Sequence, residues 1–273
     1  MKAAVLGAPI AHSLSPGLHR AAYRALGLTG WSYQAIECDA ARLPAVLDGC
    51  GPGWAGLSLT MPLKRAVLPL LDDIDPLARD VGAANTVVFT GGQRHGHNTD
   101  VPGMIAALAE AGVTALPRSA TVLILGGGAT ACSALAAARG LGAAQATAAV
   151  RDPARARDLL AAAGRLAVGL TLTDFGDPEV TAPDVLISTV PVGAADFHAE
   201  RITRGTLAPG HLLDVVYHPW PTPLAVAARR AGIGVAGGFA LLLHQAAGQV
   251  TLMTGKPAPL AAMRTAGQSA LGA

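Results

Sequence analysis

Six residues, Gly126-Gly-Gly128-Ala-Thr-Ala131, follow an apolar run and open an alanine-rich stretch. The pattern suits a turn that cradles a dinucleotide. Gly126 permits the tight turn, Gly128 lets backbone approach a pyrophosphate, and Ala131 lets the following helix pack closely on the strand. Amides exposed at that helix's N-terminus would favour the diphosphate's negative charge. Ahead of the turn lie polar groups at expected strand ends: Ser58-Leu-Thr60-Met-Pro62-Leu-Lys64, Asn85 and Asn98-Thr99-Asp100. An amine such as Lys64, beside a carboxyl such as Asp100, can move a proton while a nicotinamide moves a hydride. Hydride arriving at a ketone leaves charge on its oxygen, which an ammonium stabilises. Together these residues point to an alcohol–ketone oxidoreductase with one domain for the nucleotide and another for the substrate.

Each candidate also has a plain structural role open to it. Lys64 in a helix's first turn could be a solvated surface residue. Ser15 and Asp100 could be N-caps, Thr60 a strand-end turn residue, and Tyr217 part of a core. Gln245, mid-helix on an apolar face, is harder to dismiss because a buried amide needs partners. The glycine turn could be mere packing, but an apolar strand before it and a second strand after it are the context a nucleotide site requires. After that second strand come Val150, Arg151, Asp152 and Arg155. Two guanidiniums at a strand end suit a ribose 2′-phosphate, which favours NADP over NAD. Asp152 either repels that phosphate or caps the next helix.

The elements that must position these groups follow from periodicity. Residues 2–6, 32–37, 55–59 and 86–89 read as strands. Ser15 as N-cap and Pro16 at the first helical position open a helix through residue 26, and Gly27 ends it. Pro62 starts a short helix carrying Lys64, and Gly91-Gly92 turns the chain toward a strand at 95–97. Residues 101–111 are helical. Beyond the linker at 113–119, strand 121–125, helix 129–141 and strand 146–150 form a right-handed βαβ unit. Strand–helix alternation continues through 185–188, 212–216 and 224–231, and residues 239–253 and 259–271 are helical. The expected fold is α/β with two domains: an N-terminal α/β substrate domain and a Rossmann-type doubly wound nucleotide domain, with the C-terminal helices packing back on the first. The expected bounds are 1–101 plus 237–273 for the first and 102–236 for the second, with hinges at Pro102-Gly103 and Ala236-Gly237.

With 273 residues, 51% of them hydrophobic and 14% charged, the chain can bury a large core and is not disordered. No apolar run is long enough to span a membrane, and Pro9 and His12 interrupt the start too early for a signal peptide. A net charge of +2 with scattered signs gives no nucleic-acid footprint. Cys38, Cys50 and Cys132 are odd in number and lack metal spacing, so neither disulfides nor zinc are expected and a reducing cytoplasm is. His95-x-His97 has no further ligands nearby to make a metal site.

The motifs, taken in order, resemble the shikimate dehydrogenase family over nearly the whole chain. Gly7-Ala-Pro9-Ile-Ala-His12-Ser13-Leu-Ser15-Pro16 resembles its N-terminal signature, and Ser58 to Lys64 its catalytic-lysine motif. Gly82-Ala-Ala-Asn85-Thr86, Asn98-Thr99-Asp100, the turn at Gly126, the Arg151 region, Asp214-Val-Val-Tyr217 with Thr222-Pro223, and Leu243-His-Gln245-Ala-Ala complete the series. The resemblance implies reversible reduction of 3-dehydroshikimate to shikimate with NADPH, within aromatic amino-acid (chorismate) biosynthesis, by a monomer or homodimer with no metal. It implies Ser13 and Ser15 on the substrate carboxylate, and Thr60, Asn85, Asp100 and Gln245 on its hydroxyls. Tyr217 would line the pocket, and Lys64 would transfer the proton, paired with Asp100. Gly126, Gly127, Gly128, Ala129, Thr130, Val150, Arg151, Arg155, Val215 and Gly238 would surround the cofactor. Ser58 and Arg20 stand where many members carry Asn, Cys132 where Arg is common, and Asp152 where a small hydroxyl residue is. The alternatives are an NAD-preferring quinate or aminoshikimate dehydrogenase and a nucleotide-sensing protein that has lost catalysis.

Overall fold

The computed structural model describes residues 1–176 and 179–272; the side chain of Arg155 lies outside that description. The chain folds as two compact units, Met1–Thr99 with Leu243–Ala273, and Asp100–Leu242. In the first unit, β1 (Lys2–Gly7), α1 (Ser15–Ala25), β2 (Ser32–Glu37), α2 (Leu43–Asp48) and β3 (Trp54–Leu59) alternate. There follow α3 (Leu63–Ala66), β4 (Asp73–Ile74), α4 (Pro76–Val81), β5 (Thr86–Thr90) and β6 (Gln93–His97). The six strands form one mixed sheet in the order β2-β1-β3-β5-β6-β4. Strand β1 pairs parallel with β2 and β3, while β5 runs antiparallel to β3 and β6. Ala4, Leu6, Leu57 and Leu59 point from β1 and β3 into a core that Leu43, Leu47, Leu63 and Val67 close.

The second unit opens with α5 (Asp100–Glu110), β7 (Val122–Leu125), α6 (Ala129–Leu141), β8 (Gln145–Val150), α7 (Arg157–Leu166) and β9 (Gly169–Asp174). It continues with β10 (Val185–Ser188), α8 (Asp196–Thr203), β11 (His211–Asp214), α9 (Pro223–Arg230) and β12 (Gly234–Gly237). Its sheet is wholly parallel, in the order β12-β11-β10-β7-β8-β9. Counted within the unit this is the 3-2-1-4-5-6 order of a doubly wound dinucleotide fold. Val122-Leu-Ile-Leu125 is buried at every position, as a central parallel strand with helices on both faces requires. Helix α10 (Gly238–Thr254) carries the chain back into the first unit, where α11 (Leu260–Leu271) packs on α1.

The chain crosses between units at residues 99/100 and 242/243. Of the expected hinge pairs, Pro102-Gly103 sits inside α5, and Ala236-Gly237 is paired to Leu213-Asp214 of β11.

The corner from β4 to α4 had no reading in the sequence, and one carboxylate organises it. Asp75 Oδ1 accepts the Ala78 N–H that opens α4 (2.9 Å), and Oδ2 meets His97 Nδ1 (3.0 Å). His95 meets Asp73 in the same way, at 3.4 Å. Burial pushes the Asp75 carboxyl up, but bonds from the His97 ring, Ala78 N–H and Asn98 N–H, with the His97 charge, outweigh it and hold the group below its ordinary value. A depressed folded pKa contributes stability above the unfolded value of about 4, lost as pH falls through the folded one. Asp75→Ala is therefore expected to cost about 1 kcal/mol at neutral pH. The gap to wild type should narrow below about pH 4 in denaturant titrations; an equal gap at both pH values would exclude the charge as its cause.

Candidate active site

In the first unit the candidate residues gather where β3 ends and β5 begins. Thr60 follows β3 directly and its N–H donates to the Leu6 carbonyl of β1 (2.9 Å). Leu59 N–H donates to the Asn85 carbonyl (2.7 Å), which ties the end of β3 to the residue before β5. Lys64 rides on α3, anchored by buried Leu63 and by Val67 just beyond it. Ala84 N–H donates to the Lys64 carbonyl (2.9 Å), so the lysine backbone is pinned at the Ala84-Asn85 peptide. The Asn85 side chain is buried. Its Oδ1 accepts from Thr99 N–H (2.8 Å) and the Thr86 hydroxyl (2.9 Å). Its Nδ2 donates to Thr99 Oγ1 (2.9 Å) and, at 3.3 Å, to Gln245 Oε1. Thr60, Lys64, Asn85 and Gln245 thus share one neighbourhood.

Ser13 and Ser15 stand in the segment after β1. Ser15 is not the N-cap expected of it. Helix α1 begins at Ser15 itself, Leu14 occupies the cap in helical geometry, and no side chain caps the end. The turn from Ile10 to Ser13 feeds the helix directly, and Ser15 N–H donates to Ser13 Oγ (3.3 Å). Ser58 is buried and turned inward: its hydroxyl accepts from Tyr33 (2.6 Å) and donates to Gln249 Oε1 (2.7 Å). Gln249 was not among the sequence candidates, although its place one helical turn after Gln245 was a usable signal. Arg20 serves structure, its Nε donating to the Tyr33 carbonyl (2.8 Å).

In the second unit the candidates lie at the carboxyl ends of the strands. Gly126 to Thr130 follow β7, Val150 and Arg151 end and follow β8, Val215 and Tyr217 follow β11, and Gly238 follows β12. Asp100 opens α5 and is buried; burial pushes the Tyr217 hydroxyl's pKa up. The expected contribution of the Arg155 side chain falls outside the described residues. Asp152 caps its own turn, its Oδ1 accepting from Ala154 N–H (2.9 Å), and Arg151 beside it is exposed. Cys132 is buried in α6.

Gly126 has φ +112, and a Cβ there would stand 2.6 Å from Thr189 Oγ1. Thr189 follows β10, the strand beside β7 where the order reverses, and its hydroxyl donates to the Leu125 carbonyl (2.7 Å). That residue also escaped the sequence reading. Gly128 is different: it is exposed, has an ordinary φ of −82, and a Cβ there meets nothing within 4 Å. It occupies the cap of α6, which no side chain caps, so the first amides of a 13-residue helix are left for an anion. Gly238 answers to the chain's own packing, since a Cβ would run into the Val215 carbonyl.

Comparison with known proteins fits this layout. A family model described as the shikimate dehydrogenase substrate binding domain matches residues 5–87, and one for the shikimate 5′-dehydrogenase C-terminal domain matches residues 238–266. The shikimate dehydrogenase (NADP(+)) of Moorella thermoacetica is 38% identical, the match covering 99% of this chain and 93% of that one. Among solved structures, Mycobacterium tuberculosis shikimate dehydrogenase is 43% identical with a TM-score of 0.87, over 98% of this chain and 99% of that one. The Thermus thermophilus shikimate 5-dehydrogenase in complex with NADP(H) and shikimate is 32% identical with a TM-score of 0.84, over 99% and 100%.

The two glycines make a discriminating pair. Gly126→Ala is expected to destabilise the fold by about 1–3 kcal/mol through backbone strain. Gly128→Ala should leave the melting midpoint in place yet weaken nicotinamide dinucleotide binding about tenfold or more, the equivalent of about 1.4 kcal/mol. Calorimetric titration giving unaltered affinity for Gly128→Ala would remove the cradle.

Proposed function

The chain belongs to the shikimate dehydrogenase family, and we propose that it catalyses the reversible NADP-dependent interconversion of 3-dehydroshikimate and shikimate. The observation that carries the reading is the joining of Lys64, Thr60, Asn85 and Gln245 at one set of strand ends, on a fold whose other unit has the dinucleotide strand order. The names of the relatives, shikimate dehydrogenase (NADP(+)), and the Thermus complex with NADP(H) and shikimate support both the substrate and the cofactor.

In this reading the first unit takes the substrate and the second the nucleotide. Ser13 and Ser15 hold the carboxylate, with the Ser15 hydroxyl spared from capping. Thr60, Asn85, Asp100 and Gln245 hydrogen-bond the ring hydroxyls, and Tyr217 lines the pocket. Lys64 gives a proton to the ketone oxygen in reduction and takes it from the alcohol in oxidation, paired with Asp100. NADPH, when bound, supplies the hydride. Gly126, Gly127, Gly128, Ala129 and Thr130 would hold its pyrophosphate, Arg151 and Arg155 its 2′-phosphate, and Val150, Val215 and Gly238 its flanks. Free thiols at Cys38, Cys50 and Cys132 support a reducing, cytoplasmic setting.

Lys64→Ala is expected to lower kcat by a factor on the order of 10² to 10⁴, with a smaller change in KM, while the fold is retained. Turnover near wild type, followed at 340 nm, would take the proton-transfer role from Lys64. Rates with shikimate and quinate, each with NADP+ and NAD+, separate this activity from a quinate or NAD-preferring one. Tight NADPH binding with no oxidation of any of these substrates would instead indicate a sensor.

A further inference from the structure

Gln249 lies one turn after Gln245 on α10, and its side chain leaves the same face. It is 2% exposed, and both ends of its amide are engaged. Oε1 accepts from the Ser58 hydroxyl (2.7 Å) and lies 3.3 Å from His19 Nε2. Nε2 donates to the Asn85 carbonyl (3.1 Å) and to Thr86 Oγ1 (3.1 Å). An amide oxygen only accepts, so His19 presents Nε2–H to it; full burial lowers the His19 pKa to about 3 and keeps the ring neutral, stacked on Tyr33.

These bonds run in one direction. Tyr33 gives to Ser58, Ser58 to Gln249, Gln249 to Thr86, Thr86 to Asn85 Oδ1, and Asn85 Nδ2 to Gln245 Oε1. Donors and acceptors arranged head to tail polarise one another. The same amide also touches three elements that carry candidate residues. Ser58 stands on β3 two residues before Thr60, Asn85 immediately precedes β5, and Gln245 shares α10 with Gln249 itself. An apolar side chain here would strand the Ser58 hydroxyl and the His19 N–H as buried donors, so the amide ties these segments together rather than merely filling space.

We propose that Gln249 is a positioning residue for the substrate pocket, fixing the spacing of Thr60, Asn85 and Gln245 without touching the substrate. This rests on the shikimate-binding reading of those three residues. The test uses the full-length protein, with shikimate and NADP+ as the varied reactants. Gln249→Leu is expected to raise the KM for shikimate about tenfold while the KM for NADP+ moves less than about twofold. A purely stabilising residue would lower the melting midpoint and leave both KM values in place well below it; that result overturns the proposal. Thr86→Val removes the next hydroxyl in the series at nearly constant shape, and carries the test if Gln249→Leu does not fold. It should raise the same KM roughly threefold or more, and an unaltered value again overturns the proposal. Wild type is measured alongside. Failure of wild type to oxidise shikimate would take down the functional reading and this inference with it, whereas active wild type with unaltered variants would take down the positioning role alone.

Discussion

A parallel strand cannot be followed by its neighbour through a tight turn; the chain must cross over and return, leaving the carboxyl ends of the strands open along one edge. That constraint decides where chemistry sits in each unit. In the second unit all six strands are parallel, and the nucleotide candidates lie at strand carboxyl ends or just past them: Gly126 after β7, Arg151 after β8, Val215 after β11, Gly238 after β12. In the first unit only β5 runs against the others, and Ser13, Ser15, Thr60 and Lys64 follow β1 and β3, at the carboxyl ends of the shared sense. The antiparallel hairpin of β5 and β6 then brings Asn85 and Thr99 to the same edge from the other direction. It does so because a hairpin returns its second strand to where its first began.

Placing polar groups at a buried edge has a cost, and the first unit meets it by satisfying them against one another. Asn85, Ser58, Thr86 and Gln249 are each under 4% exposed, yet each is bonded to another of the four. Leaving a single one unsatisfied would cost about 1–3 kcal/mol. The second unit solves a smaller version of the problem with Asp214. Burial raises its carboxyl pKa, and the Thr222 hydroxyl (2.6 Å) and Val216 N–H (3.2 Å) oppose that rise. Thr222 accepts in turn from Ala225 N–H, so the hydroxyl that satisfies the carboxylate also caps α9. Asp214 and Thr222 of that motif are thus explained by this local bonding before any ligand is invoked.

Much of this was legible in the sequence. Helix 129–141 and strand 185–188 match their observed bounds, because an alanine-rich run ends before Gly142 and a β-branched and leucine run ends at a polar residue. What escaped lacked such punctuation or depended on partners distant in sequence. The two-residue β4 is too short for any period, and α8 is too weakly apolar to stand out. Strand β9, Gly169–Asp174, sits at a sheet edge with exposed and half-buried positions. Strand β12 contains two glycines and runs straight into α10, so the helical pattern masked it. Ser15 was misread because Ser-Pro is a sound helix start, and only the preceding turn decides which residue takes the cap. Gln249 and Thr189 owe their importance to Ser58, Thr86 and Leu125, 191, 163 and 64 residues away; no local pattern encodes such meetings.

The turn after β8 is where local and long-range demands conflict most openly. Positions 151, 152 and 155 carry two guanidiniums and one carboxylate, a sum of one positive charge where a 2′-phosphate would carry about two negative ones. An aspartate at that edge opposes the phosphate by Coulomb repulsion, yet a serine or threonine could make the same cap. The bond from Ala154 N–H to Asp152 draws the carboxylate toward its own turn and spends part of its charge on the backbone. Exposed Arg151 is screened by solvent and salt, so its single charge cannot by itself enforce a strong preference between cofactors. If this edge takes the 2′-phosphate, as proposed above, the cap on Asp152 sets how far its charge opposes the ligand.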